Sequence, residues 1–95
     1  MRVYIIHSPS DSENYIDRTL QAERQLIESG DHVMNPLPDQ NKHIGNEALN
    51  NIYGNLIKYC DMVYAMEGCD KTNTGNKEMT AAMLNRKTIT FEQKV

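Results

Sequence analysis

The chain has 95 residues, with 10 Lys and Arg against 13 Asp and Glu, for a formal net charge of −3. That length suits one domain over residues 1–95, whose core closes without staples because a chain of this size buries roughly 60–70% of its unfolded surface. No stretch approaches the ~18 apolar residues of a membrane span, and no basic block offers a footprint for polymeric nucleic acid.

Two cysteines, Cys60 and Cys69, make neither a disulfide framework nor a zinc set. They read as reduced thiols of a cytoplasmic protein. Nothing calls for a metal or an organic cofactor. The apolar N-terminal stretch runs straight into His7-Ser8-Pro9 with no cleavage site, so it belongs to the fold and is not a signal peptide.

The elements alternate along the chain. Val3-Tyr4-Ile5-Ile6 is a continuous apolar, β-rich run, as expected of a strand covered on both faces. Ser10 and Glu13 have capping-box spacing, so a helix is expected to start there. Its apolar stripe would be Ile16, Leu20, Leu26 and Ile27, with Thr19 and Ala22 beside it, and Gly30 would stop it. His32-Val33-Met34 is a short second strand ended by Asn35-Pro36, and Leu37 to Lys42 is a loop.

A second helix is expected from about Asn46 to Tyr59, because Leu49, Ile52, Tyr53, Leu56 and Cys60 fall on one helical face. Met62 to Met66 is a third strand, apolar throughout. A third helix runs from about Gly75 to Leu84 with Met79, Ala82 and Met83 inward. Thr88-Ile89-Thr90-Phe91 alternates and reads as a half-exposed last strand.

Such alternation implies an α/β fold: a minimal Rossmann-like or flavodoxin-like three-layer sandwich with helices on both faces of a parallel four-stranded sheet. The first and third strands are the most uniformly apolar and belong at the centre. Right-handed crossovers then give the order 2-1-3-4.

In an open parallel sheet the ligand lies beyond the carboxyl ends of the strands where the winding reverses, here between the first and third strands. The loops facing that point are His7 to Asn14 and Glu67 to Thr74, both rich in small polar residues. Asn35 ends the second strand at the same level. Hydroxyls and amides of this kind suit a sugar or a nucleotide. The first loop has no glycine and the chain has no phosphate-loop motif, so dinucleotide oxidoreductases and P-loop enzymes are disfavoured.

Glu78 is expected in the first turn of the third helix, where the helix N-terminus favours an ionised carboxylate. It could serve as nucleophile at an anomeric carbon or as a general base. The bland alternative makes Gly75 the N-cap and Glu78 the residue that bonds back to it. His7 could contact a ligand or be structural. Asp61 would orient the turn between the second helix and third strand. Asn73, Thr74 and Gly75 could cradle a phosphate or sugar with backbone N–H groups, or simply cap the helix.

Together these pieces resemble the nucleoside 2-deoxyribosyltransferase-like superfamily, in particular its small bacterial and phage members of unknown function. The resemblance covers nearly the whole chain. It runs from a Val-Tyr-Ile-type strand into Ser8-Pro9, through Gly30-x-x-Val33-x-Asn35-Pro36 and Cys60-Asp61-x-Val63-Tyr64, to Glu78 followed by Ala81 and Ala82. The resemblance implies that Glu78 is a catalytic nucleophile that attacks C1′ of a deoxynucleoside. It also implies ligand contacts from His7, Ser8, Pro9, Asn73, Thr74 and Gly75, and the place of Asp11 and Asn35 on the loops at the same level adds those two to the expected ligand contacts. A nucleoside or nucleotide would be the small-molecule partner, and a homo-oligomer would complete the pocket.

Three positions depart from the family pattern: Ser8 stands for the usual Gly, Tyr53 for an Asp, and Thr74 for a Gly that appears one place later as Gly75. Three functions stay open at this point. They are N-glycosidic cleavage or deoxyribosyl transfer, nucleotide binding without turnover, and an interaction protein with a vestigial pocket.

Overall fold

The computed structural model describes residues 1–36 and 46–92, without the side chains of residues 46, 47, 49 and 50. The expected loop from Leu37 to Lys42, and the side chain of Leu49, lie outside the described residues. The elements are β1 (Arg2–Ile6), α1 (Tyr15–Glu28), β2 (His32–Met34), α2 (Asn46–Tyr59), β3 (Met62–Ala65), a short 3-10 turn (Cys69–Lys71), α3 (Asn73–Leu84) and β4 (Thr88–Phe91). The four strands form one sheet of order β2-β1-β3-β4 with every pair parallel, as the alternation and the apolar runs require.

The central pair is in register Val3 to Met62 and Ile6 to Ala65. Its side chains sort by the two-residue period of a strand. Tyr4, Ile6, Val63 and Ala65 face α2 and α3, packed with Tyr53, Ile57, Cys60 and Ala82. Val3, Ile5, Tyr64 and Met66 face the other way, towards Ala22 and Leu26 of α1. Val3 to Ile6 are all fully buried, which is why the run carries no charged residue and one polar atom, the Tyr4 hydroxyl, that is hydrogen-bonded.

Helix α1 presents a different face from the one expected. Tyr15, Thr19 and Ala22 are buried and Leu26 half-buried, whereas Ile16, Leu20 and Ile27 are 50%, 42% and 54% exposed. The small Thr19 and Ala22 let the helix lie close to the sheet, and the Thr19 hydroxyl donates to the Tyr15 carbonyl (2.8 Å) in place of an external partner. The Ser10–Glu13 capping box does not form. Residues 9 to 12 are taken up by a turn closed from Ser12 N–H to Pro9 O (2.9 Å), and the helix starts after Asn14, whose φ of 54° is left-handed. Gly30, at φ 92°, does end the helix, as expected.

In α2, Tyr53 and Ile57 are buried, as is Cys60 just after it, and Leu56 is half-buried, while Ile52 turns outward at 44% exposure. In α3, Ala82 is buried and Met79 half-buried, while Met83 is exposed. The N-cap of α3 is Thr72 and not Gly75: the Thr72 hydroxyl accepts from Gly75 N–H at 2.9 Å. A threonine supplies the acceptor that glycine lacks. Glu78 therefore sits in the second helical turn, not the first.

Candidate functional site

Glu78 points inward from α3 to the centre of the sheet. Its Oε2 accepts a hydrogen bond from the hydroxyl of Tyr4, a residue of β1 that is itself fully buried. The Tyr4 ring leans on the Tyr53 ring, centroids 6.4 Å apart and tilted by 59°. Glu78 is 7% exposed. Burial raises its pKa to about 7, opposed by the Tyr4 hydrogen bond, which favours the ionised form.

The expected stabilisation by the helix N-terminus does not prevail, because that effect fades beyond the first turn. Nor does Glu78 cap the helix. The Gly75 N–H belongs to Thr72, and the carboxylate belongs to Tyr4. Burial, followed by the nearby Glu78 charge, pushes the Tyr4 phenol far above its ordinary value, so it remains a neutral donor.

His7 follows β1 and packs on the opposite side of the sheet. Its ring meets Tyr15 of α1 edge-on, with centroids 6.2 Å apart. Its Nε2 lies 2.5 Å from Asn35 Oδ1, and Asn35 Nδ2 donates to Glu23 Oε2 at 3.2 Å. The Glu23 bond turns the Asn35 oxygen towards His7, so Nε2 carries the hydrogen. Burial lowers the His7 pKa from its ordinary value despite the Asn35 bond. His7 and Asn35 are thus brought together, but His7 and Glu78 are not: the sheet lies between them.

The loops after β1 and β3 do face each other. A Cβ on Gly68, whose φ is 79°, would lie 3.3 Å from Pro9 Cδ. Ser8 is buried and half-buried Pro9 follows it, whereas Asp11 is exposed to solvent. Across the gap, Asn73 is exposed and Thr74 half-buried. Gly75 is buried hard against the backbone: a Cβ there would stand 1.7 Å from the Cys69 carbonyl oxygen. Asp61 joins strands, accepting from the Arg2 N–H at 2.7 Å and pairing with Arg2 Nε at 3.6 Å.

A cavity of about 480 Å3 opens one strand away from the expected crevice, between the carboxyl ends of β3 and β4. Glu67, Gly68, Cys69, Met79, Phe91 and Glu92 contribute to its wall. The Cys69 thiol there is pushed up to about 11, chiefly by burial, and stays protonated.

Two residues at this end of the sheet escape a reading of the sequence. Arg18 donates from Nε and Nη2 to the two oxygens of Glu92 (3.1 and 2.8 Å), and Nη2 also donates to Ser8 Oγ at 2.8 Å. Periodicity marks Arg18 only as a helix residue, and Glu92 simply follows the last strand. No local signal joins residues so far apart in sequence.

No protein-family model matches the chain, and no curated protein matches it in sequence. Solved structures do. The chain resembles the CMP N-glycosidase of Clostridium botulinum with a TM-score of 0.73 and 21% identity, over 96% of this chain and 70% of that one. It also resembles the 2-deoxyribosyltransferase of Bacillus psychrosaccharolyticus with a TM-score of 0.67 and 21% identity, over 96% of this chain and 71% of that one. Among the described residues no helix is long and apolar enough to cross a membrane. The parallel sheet of order β2-β1-β3-β4 between α1 and the α2–α3 pair is the nucleoside 2-deoxyribosyltransferase-like fold.

Proposed function

We propose that the protein cleaves the N-glycosidic bond of a nucleoside or nucleotide, with Glu78 as the nucleophile. The observation that carries this reading is the Tyr4–Glu78 pair: a buried carboxylate, held at one oxygen by a neutral phenol. With Oε2 engaged, Oε1 is left to attack C1′. The C1′–N bond breaks, its electron pair goes to the base nitrogen, and that nitrogen takes up a proton from water. Attack of water at C1′ then releases the sugar, returns the carboxylate and gives a proton to solvent. Attack by the nitrogen of a second base instead completes a transfer.

A pKa of about 7 supports the assignment, since near neutrality a large share of Glu78 is ionised and its basicity is matched to the working pH. The fold shared with an N-glycosidase and a deoxyribosyltransferase supports the reaction class. Ser8 and Pro9 on one side and Thr74 on the other are proposed to hold the sugar. The same reading places the protein in the cytoplasm, in keeping with the buried free thiols of Cys60 and Cys69. It also has a second copy complete the pocket, for which the exposed Ile16, Leu20 and Ile27 of α1 offer apolar surface.

A second reading, binding without turnover, is favoured by the same pKa. The protonated share of Glu78 is a hydrogen-bond donor and no nucleophile. Chromatography separates the two. Wild-type protein incubated with CMP, 2′-deoxycytidine and other nucleosides should release free base, and Glu78→Gln should release none. Thermal stabilisation with the compound recovered intact would install the binding reading instead. If neither base release nor stabilisation occurs, the protein is an interaction protein with a vestigial pocket.

A further inference from the structure

The guanidinium of Arg18 bonds in three directions. It grips Glu92 with two nitrogens, bonds Ser8 Oγ with one of them, and reaches the Glu13 carbonyl with Nη1 at 3.1 Å. Glu92 continues the chain of contacts. Its Oε1 also accepts the Glu67 N–H at 2.9 Å, and its own N–H donates to the Ala65 carbonyl at 2.8 Å. One ion pair therefore ties the loop after β1, the turn after β3 and the end of β4 to helix α1. The side chains of Arg18 and Glu92 are only 25% and 13% exposed, which shelters the pair from screening by salt. The planar fork suits a carboxylate held in two places, which a lysine would not reproduce.

We infer that Arg18 and Glu92 form a positioning strap that couples the Ser8 loop to the Glu67 turn across the carboxyl edge of the sheet. Ser8 stands where the resembling family usually has glycine, and its hydroxyl is what Arg18 holds. Because Ser8 Oγ accepts from a cation, its own O–H is left to donate, and among the described residues no acceptor takes it. The strap thus presents Ser8 as a donor towards an oxygen of the ligand. It also forms part of the wall of the β3–β4 cavity through Glu92 and Glu67. As a device that positions substrate, it rests on the function proposed above. As a coupling between two loops, it is tested without substrate.

Amide hydrogen exchange tests the coupling. In Arg18→Gln and in Glu92→Ala, the amides of both Ser12 and Glu67 should exchange at least tenfold faster than in wild type. The amides of β3 should remain unchanged and report an intact fold. The decisive result is the response of the Glu67 amide to Arg18→Gln, since the Glu67 N–H bonds Glu92 Oε1 and a guanidinium has no acceptor to offer it. Arg18→Lys should behave as Arg18→Gln, because a point charge cannot bridge three groups. If Glu67 responds only to Glu92→Ala and Ser12 only to Arg18→Gln, the two loops are independent and the strap is overturned.

Kinetics test the positioning. With CMP as probe, Arg18→Lys should raise KM at least tenfold and leave kcat within threefold. A fall in kcat at unchanged KM would overturn the positioning role. Wild-type protein that releases no base removes the proposed reaction, and the exchange experiment still decides the strap.

Discussion

The Tyr4 hydroxyl donates to the Glu78 carboxylate between the innermost strand and the second turn of α3, and both residues are buried. A phenol whose own ionisation is suppressed can only give its hydrogen here. The pair therefore supplies a buried acid with one fixed donor. Removing that donor should weaken the fold and shift the acid. In Tyr4→Phe, stability at pH 8 should fall by about 1.5–3 kcal/mol, the usual cost of losing a hydrogen bond to a charged group. The Glu78 pKa should rise above its value of about 7, since the bond favours the ionised form. Chemical denaturation and carboxyl-resolved NMR titration check the two expectations.

The raised pKa of Glu78 has a definite sign in the stability curve. Unfolded Glu78 loses its proton near its ordinary 4.5 and the folded residue only near 7, so between those values the native state holds more protons. Stability from this group is present at low pH and is lost as pH rises through about 7, by about 3 kcal/mol in all. Glu78→Gln keeps an acceptor for Tyr4 but has no charge to desolvate. It should be more stable than wild type at pH 8 and should lack that slope, as read from denaturant midpoints across pH 4–9.

His7 gives a contribution of the opposite sign. Its folded pKa lies below the ordinary 6.5, so the unfolded chain takes up the proton first on acidification. Stability from His7 is full above 6.5 and is lost as pH falls towards the folded value. Asn35→Ala removes the acceptor that favours the protonated ring, so the His7 titration followed by NMR should move lower still. An upward movement would show that Asn35 does not take the Nε2 hydrogen.

Gly75 should tolerate no side chain. In Gly75→Ala the new Cβ meets the Cys69 carbonyl carbon and oxygen and the Thr72 hydroxyl, all within 2.8 Å, and two of these atoms are backbone that cannot turn aside. A loss of about 3 kcal/mol is expected, at the upper end for overpacked sites. Thr72→Ala, which removes only the cap, should cost about 1 kcal/mol, and Thr72→Ser should restore it. Denaturant midpoints of the three variants give the comparison.

The sheet was legible in the sequence because its two central strands carry apolar residues on both faces. Val3 to Ile6 and Met62 to Met66 could be nothing but interior, and the order of strands followed. Helix α1 was not legible, because the rule that large apolar residues face inward fails where a small pair, Thr19 and Ala22, permits closer packing than Ile16 and Leu20 would. The cap of α3 was misplaced by three residues for a related reason. Gly75 looks like a terminus, but what it answers is the nearness of the Cys69 carbonyl. Glu78 stood out by its place after a polar loop. That its acidity follows from burial against Tyr4 is a tertiary fact, as is the Arg18–Glu92 pair, with no trace in local spacing.

Among the described residues His7 and Glu78 share no hydrogen-bond partner, and the sheet with the side chains packed on its two faces stands between them. The sheet works as a partition. Each ionisable group answers to its own helices, and neither is tuned through the other. Changes at the two positions should therefore add in free energy, as unconnected sites do. One face of this small protein can be redesigned for a new ligand environment while the acid on the other keeps its character.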